Sequence, residues 1–153
     1  MAPTATTATK GRVSPGAGLP VSEFRAALDE ALAAADADER IGPLIGATEL
    51  RLRLEFTDLE PGLNVAAGEG EHHLIWSFGE PEWTPKLVLQ MAAAVANRYL
   101  LGHESLAIAI AHGKVRVHGG SRVALLYLPA TRLLCEAYRK VVEDRYPALA
   151  GAV

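Results

Sequence analysis

The stretch TELRLRLEFTD, residues 48–58, alternates apolar and charged side chains from Glu49 to Phe56. A period of two places successive side chains on opposite faces of an extended chain. One face is then charged, and the other carries Leu50, Leu52, Leu54 and Phe56. The stretch therefore predicts a β-strand that is buried on one face and exposed on the other.

The segments on either side of this strand predict a helix before it and two strands after it. Apolar residues recur at helical spacing from Val21 to Ala35, which predicts an amphipathic helix of about four turns. Glycine and proline at 61–62 and 68–70 mark tight turns on either side of a strand over 63–67, and a strand over 72–78 follows. Strands joined by such short turns predict an antiparallel meander.

The next segment carries start and stop signals of a helix. Thr84 is a candidate N-cap, Pro85 would occupy the first helical position, and Gly102 would follow the last turn. These signals predict one helix over residues 85–101. Most of its circumference is apolar, so we expect it to be covered on more than one side.

The last third of the chain predicts a short helix over 104–112, a strand over 114–118 and a final helical region from Ser121. We expect a kink or a break near Pro129, because proline lacks an amide donor and clashes with a preceding carbonyl. The fold class is therefore α+β, a mainly antiparallel sheet of about five strands covered on one face by helices.

Composition places limits on domain number and partners. The 153 residues suit one domain over 21–150, after a tail over 1–20 that is too poor in large apolar residues to be ordered. The net charge of −3 argues against nucleic acid as a partner. No apolar run spans a bilayer and no signal peptide is evident, so we expect a cytoplasmic protein. Cys135, the single cysteine, is expected to be a buried small apolar residue.

The stretch IAIAHGKVRVHGG, residues 108–120, invites a metal or phosphate interpretation. His112 and His118 are separated by a turn and a strand, without cysteines or an HExxH spacing. Gly113 precedes a lysine but not in the GxxxxGK pattern of a phosphate-binding loop. Backbone amides of 119–121 could suit an anionic head group, although a plain turn is favoured. We predict no metal, no cofactor and no catalytic residue.

Large aromatic residues that face alanines leave volume between them, which predicts a cavity. The expected ligand-binding residues are Trp76, Phe78, Leu87, Met91, Val95, Leu106, Ile110, Val123 and Leu126, with Trp83 near the entrance. Ile108 and Ile110 are both expected to face inward.

The segment Ala107–Ala111, followed by Gly113, Lys114, an alternating strand and Gly119, resembles a motif of the sterol-carrier-protein (SCP-2-like) family of lipid-binding domains. The order of elements over residues 22–146 is similar, and the alanine- and arginine-rich composition suits a bacterial member. The resemblance implies an apolar tunnel between sheet and helices that holds a sterol, fatty acyl chain or other lipid. It also implies no catalysis in the isolated domain. The final residues lack a peroxisomal signal, so no organellar location is expected.

Three functional hypotheses follow. The favoured one is a non-catalytic lipid-binding or lipid-transfer protein, whose partner is a hydrophobic small molecule and which contacts membrane surfaces transiently. The alternative is an interaction module that docks on a partner enzyme or on a second copy, through an apolar face that includes Met91, Tyr99 and Leu100. The least favoured is a small enzyme with His112 or His118 as base.

Overall fold

The computed structural model of the chain describes residues 19–151, which form six helices and five strands. The helices are α1 (Val21–Ala37), α2 (Ile41–Gly46), α3 (Ala93–Leu100), α4 (Leu106–Ala111), α5 (Ser121–Arg145) and α6 (Pro147–Ala150). The strands are β1 (Arg51–Phe56), β2 (Leu63–Ala67), β3 (Leu74–Phe78), β4 (Leu87–Met91) and β5 (Val115–His118). None of these helices is long and apolar enough to cross a bilayer.

The tail predicted over residues 1–20 lies outside the described residues except at its end. There, Leu19 is buried in the core and Pro20 is the N-cap of α1.

The strands form one sheet in the order β3-β2-β1-β4-β5. β1 pairs antiparallel with β2, and β2 with β3, as the predicted meander requires. β4 lies parallel to β1 on its other side, and β5 is antiparallel to β4. The α+β class with a mainly antiparallel sheet is confirmed.

One face of the sheet is apolar and the other polar. The register sets Leu54 beside Leu89 on the inner face, where both are buried. On the outer face Glu55 accepts hydrogen bonds from Arg53 (3.3 Å) and Gln90 (2.8 Å). Only the apolar face offers the helices a surface to bury.

The helices are tied to the inner face by aromatic packing and by a buried polar network. The Phe24 ring in α1 packs edge-on against Phe56 of β1 (5.5 Å) and Tyr138 of α5 (6.4 Å between centroids). The Tyr138 hydroxyl donates to Asn97 Oδ1 (2.7 Å), and Asn97 Nδ2 donates to the Leu149 carbonyl (3.0 Å). Asn97 is fully buried. This network joins α3, α5 and α6, because a buried amide must pair its polar atoms.

The single helix predicted over residues 85–101 is wrong. Residues 87–91 form β4, and α3 begins only at Ala93. Leu87, Leu89 and Met91 also fit a period of two, and β1 supplies backbone partners for that segment. The N-terminus of α3 is capped by a residue that is distant in the sequence, because Asp58 Oδ1 accepts a hydrogen bond from the Ala93 amide at 2.9 Å. Strand pairing with a segment 35 positions earlier therefore overrides the local helix signals.

The break predicted near Pro129 is also wrong, because α5 runs without interruption from Ser121 to Arg145. Pro129 is exposed, whereas Ala130 and Tyr127 are buried. Pro129 has no amide proton to donate to the carbonyl of Leu125, four residues earlier. The Leu125 side chain is also exposed. Water can hydrate that carbonyl, and packing of the opposite side holds the helix together.

Two surface expectations are corrected as well. Ile108 is 55% exposed, so it does not face inward, whereas Ala109 beside it is buried. Met91 and Leu100 are 1% and 6% exposed, so the apolar face expected to dock on a partner is inside the core. The reason is that Met91 lies on β4, between β1 and β5, rather than on an exposed helix.

Candidate functional site

An apolar cavity of about 120 Å³ lies between the β4–β5 end of the sheet and helices α4 and α5. Its lining residues are Leu87, Leu89, Leu106, Ala107, Ile110, Val117, Ala124, Tyr127, Leu128 and Thr131. The continuous tunnel implied by the resemblance stays a prediction.

The cavity exists because small side chains face large ones across it. Ala107 and Ala124 stand on the two helices opposite leucines of β4. α4 has only six residues; Ser105 caps it by accepting from the Ile108 amide (3.4 Å). Gly113 then turns the chain with a φ of 75°, a conformation that glycine adopts readily. α4 is thus a short outer wall held at both ends.

The two hydroxyl groups in the lining are already hydrogen-bonded. Tyr127 Oη donates to the Glu49 carbonyl (3.3 Å) and accepts from the Arg51 amide (3.2 Å). Thr131 Oγ1 donates to the Leu128 carbonyl (2.8 Å) and accepts from the Tyr99 hydroxyl (2.9 Å). Apart from Tyr127, no ionisable group lines this cavity among residues 19–151. The walls therefore present apolar surface and no acid, base or nucleophile.

A larger cleft of about 440 Å³ adjoins the cavity and shares Leu106, Ala107 and Leu128 with it. Its remaining lining residues are Tyr99, Gly102, Glu104, Ser105, Arg132, Cys135 and Arg139. The cavity is therefore apolar, whereas the cleft beside it has both apolar and charged lining residues.

The charged groups of the cleft are unequally partnered. Glu104 pairs with both Arg98 and Lys114, each at 3.2 Å, and their hydrogen bonds lower the pKa of its carboxyl. Arg132 and Arg139 form no ion pair with any residue in the range 19–151. The cleft therefore has an excess of positive charge.

Cys135 lies between these two arginines on the same helix. Its thiol lies 3.8 Å from the Tyr99 carbonyl, and burial raises its pKa to about 11. A thiol that is protonated at neutral pH is a poor nucleophile.

The predicted ligand-binding residues are distributed over several parts of the molecule. Leu87, Leu106 and Ile110 line the cavity together. Trp76 and Phe78 stand on β3, at the opposite edge of the sheet. The Trp76 indole donates to Asp29 Oδ1 of α1 (2.8 Å).

The other five do not line the cavity. Met91 is in the core, Val95 lines a separate opening with Lys114 and Arg116, and Trp83 is half-buried in the loop before β4. On α5, Val123 packs against the core and Leu126 is 55% exposed.

The α5 wall of the cavity is absent from the residues predicted to bind a ligand. Ala124, Tyr127, Leu128 and Thr131 are spaced at three and four residues, which places them on one face of a helix. This spacing identifies the wall only if the helix continues through Pro129, where a kink or a break is expected from the sequence. Arg132 and Arg139 carry no local signal, because only the position of the loop after α3 makes them line a cleft.

No histidine side chain lines the cavity or the cleft among residues 19–151. His112 and His118 are exposed. His72 Nδ1 lies 2.8 Å from Asp36 Oδ2 at the end of α1. Among residues 19–151 no three histidine, cysteine or acidic side chains are grouped as metal ligands.

Comparison with known proteins identifies the fold. No protein-family model and no curated protein matches the sequence. Among solved structures, a sterol carrier protein 2 superposes with a TM-score of 0.53 at 18% identity, over 75% of this chain and 95% of that one. The chain has the fold of sterol carrier protein 2.

Two further structures with this fold agree. The sterol carrier protein domain 2 of Helicoverpa armigera gives a TM-score of 0.54 at 15% identity, over 82% of this chain and 92% of that one. UbiJ-SCP2, a ubiquinone synthesis protein, gives a TM-score of 0.54 at 15% identity, over 75% of this chain and 93% of that one.

Part of the alkylsulfatase Pisa1 from Pseudomonas sp. is also similar in structure. It matches 67% of this chain at 15% identity with a TM-score of 0.52. The chain spans about 15% of the length of that enzyme.

Proposed function

We propose that the protein is a non-catalytic carrier of a hydrophobic small molecule, such as a sterol, a fatty acid or an acyl derivative. The observation that carries this proposal is the apolar cavity between the sheet and two helices, whose hydroxyl groups are internally paired. The sterol carrier fold of the compared structures supports it.

The size of the cavity constrains how a ligand is held. Typical ligand pockets measure ~300–1,000 Å³, and the apolar cavity alone is about 120 Å³. The cleft of about 440 Å³, which shares three lining residues with the cavity, is within that range. A ligand that buries about 400 Å² of apolar surface gains roughly 10 kcal/mol before association costs, which leaves roughly micromolar affinity.

The test measures the affinity for a fluorescent fatty acid of three delipidated proteins: the wild type, the Val117→Thr variant and the Val88→Thr variant. Val117 lines the cavity, and Val88 is half-buried on the opposite face of the neighbouring strand. A hydroxyl placed among apolar walls lacks a partner, so we expect Val117→Thr to weaken binding several-fold. Val88→Thr is expected to bind as the wild type does. Equal effects of the two changes, or no binding by the wild type, would contradict the proposal.

A second candidate is an interaction module on the same fold. Three apolar side chains on α4 and the first half of α5 favour it, since Ile108, Leu125 and Leu126 are 55%, 69% and 55% exposed. Light scattering across a range of concentrations would detect self-association, and Leu125→Glu should abolish it. A monomer at every concentration argues against a second copy as the partner.

A further inference from the structure

Helix α4 is apolar throughout and yet largely exposed. Its six residues, Leu106–Ala111, include no polar side chain, and only Ala109 is buried. Four of the other five are exposed, Ile108 and Ile110 among them. A helix at a protein surface normally presents polar side chains to water. The outer side of α4 therefore suits contact with an apolar partner better than contact with water alone.

The first half of α5 presents a second exposed apolar strip. Arg122, Leu125, Leu126, Pro129 and Arg132 recur at spacings of three and four residues, so they share one face of the helix. All five are exposed. Two leucines and a proline thus form the middle of the strip, and an arginine stands at each end.

Helix α4 and this strip belong to neighbouring parts of the surface. Ile110 of α4 and Ala124 of α5 line the same cavity, and Ala107 and Arg132 line the same cleft. We call the exposed apolar residues of the two helices the α4–α5 patch. Its members are Ile108, Ile110, Leu125, Leu126 and Pro129.

The segment that carries the α4–α5 patch has no acidic residue. Between Glu104 and Glu136 the sequence contains four lysine or arginine residues and no aspartate or glutamate, whereas the rest of the chain has 11 basic and 18 acidic residues. Both of those glutamates are in ion pairs. Arg122 and Arg132 form no ion pair with any residue in the range 19–151. The patch is therefore bordered by unpaired positive charge in a protein that is otherwise negative.

Charge decides which partner the patch fits. A two-fold dimer uses the same surface on both subunits, so a second copy would bring Arg122 and Arg132 toward groups of like charge. An anionic lipid surface instead offers negative head groups to the arginines and an apolar interior to the leucines and isoleucines. We propose that the α4–α5 patch docks the protein on an anionic lipid bilayer. This inference goes beyond the carrier function, because it depends on exposed side chains and not on the cavity.

Co-sedimentation of the full chain with lipid vesicles tests the proposal. One set of vesicles consists of phosphatidylcholine, and the other is an equal mixture of phosphatidylcholine and phosphatidylglycerol. Each cation near an anionic surface strengthens binding roughly fivefold, so we expect the mixed vesicles to bind at least about tenfold more tightly. High salt should remove most of this preference, because it screens exposed charges.

The apolar part of the patch is tested by Leu126→Asp. We expect this change to weaken binding to the mixed vesicles at least about tenfold, because it puts a charge where an apolar contact with lipid is required. Leu44→Asp is the matched control, since Leu44 is 57% exposed and Leu126 is 55% exposed, but Leu44 lies on α2. It should bind vesicles as the wild type does. Equal losses from the two changes would refute the assignment of the surface.

The charged border is tested by Arg122→Gln/Arg132→Gln, which should abolish the preference for the mixed vesicles. Arg51→Gln/Lys140→Gln removes the same charge from two exposed positions outside the patch. This control should keep most of the preference. Equal binding of the wild type to the two kinds of vesicle would overturn the proposal.

A parallel measurement separates this proposal from the carrier function. Leu126 lines neither the cavity nor the cleft, so Leu126→Asp should keep the wild-type affinity for a fluorescent fatty acid in solution. A wild type that binds the fatty acid but not the vesicles would overturn the docking and leave the carrier function intact. Binding to vesicles without fatty acid affinity would overturn the carrier function alone. Self-association that Leu126→Asp abolishes, without vesicle binding, would show that the patch joins two copies and that membrane docking is wrong.

Discussion

Filling the cavity tests whether it is a functional space or a packing defect. Ala124 stands on its α5 wall, and Ala124→Leu adds three carbons directed at a space of about 120 Å³. At ~24 cal/mol per Å³, the whole cavity corresponds to about 3 kcal/mol of lost stability. Leucine fills part of that volume, and each buried carbon contributes ~0.8 kcal/mol, against a packing strain of ~1 kcal/mol or more. We expect the free energy of unfolding of the ligand-free protein to rise by about 1 kcal/mol.

The same change should weaken fatty acid binding at least about tenfold, because the ligand chain and the new side chain compete for one volume. Urea denaturation followed by tryptophan fluorescence measures the stability, and fluorescent fatty acid displacement measures the binding. Ala111→Leu is the matched control, since Ala111 is exposed on α4 and does not line the cavity. Destabilisation by Ala124→Leu together with unchanged fatty acid binding would refute this reasoning.

Three further predictions concern the fold that supports the site. Asn97→Ala should lower the free energy of unfolding by about 3 kcal/mol in urea denaturation, because two hydrogen-bonded groups in a fully buried site lose their partner; a loss below ~1 kcal/mol would contradict this. Gly119→Ala should cost about 2 kcal/mol by the same measurement, since the glycine has a φ of 140° and its Cβ would lie 2.7 Å from a backbone carbonyl before β4. Gly120→Ala, which meets nothing within 4 Å, should be neutral, and equal losses at the two glycines would count against the steric argument. The hydrogen bond that His72 donates to Asp36, and the charge of that carboxylate, raise the pKa of His72. While Asp36 is ionised, the pair therefore stabilises the fold below the usual histidine pKa and loses that stabilisation as pH rises through the raised pKa. Thermal unfolding across pH should therefore show a decline in Tm that His72→Gln removes, and a variant that declines like the wild type would exclude this pair as its source.

Local sequence patterns correctly predicted those elements whose tertiary surroundings favour the same secondary structure as their own residues do. The alternation around Leu52 and Leu54 predicted β1, and the glycine-marked turns predicted the antiparallel strands β2 and β3, because each turn and strand depends on nearby residues. The resemblance at Gly113 and Lys114 led to the sterol carrier fold that the solved structures show.

Residues 87–91 show where local patterns fail. Thr84 and Pro85 carry helix signals, yet the following residues pair with β1, because a parallel neighbour far earlier in the chain satisfies their backbone groups. This one error placed Met91 on a helix face, whereas the residue lies in the core. It also hid β4, whose Leu87 and Leu89 form one wall of the cavity.

Periodicity and composition were enough to predict the fold class, the meander and the apolar character of the site. Which apolar residues surround one space, and which arginines line the cleft beside it, depends on tertiary packing. Leu87 and Ala124 line the same cavity because α5 packs on the inner face of the sheet, and Arg139 lines the cleft together with Gly102 from the loop after α3. Such contacts join residues far apart in the chain, and no local pattern encodes the distance between them.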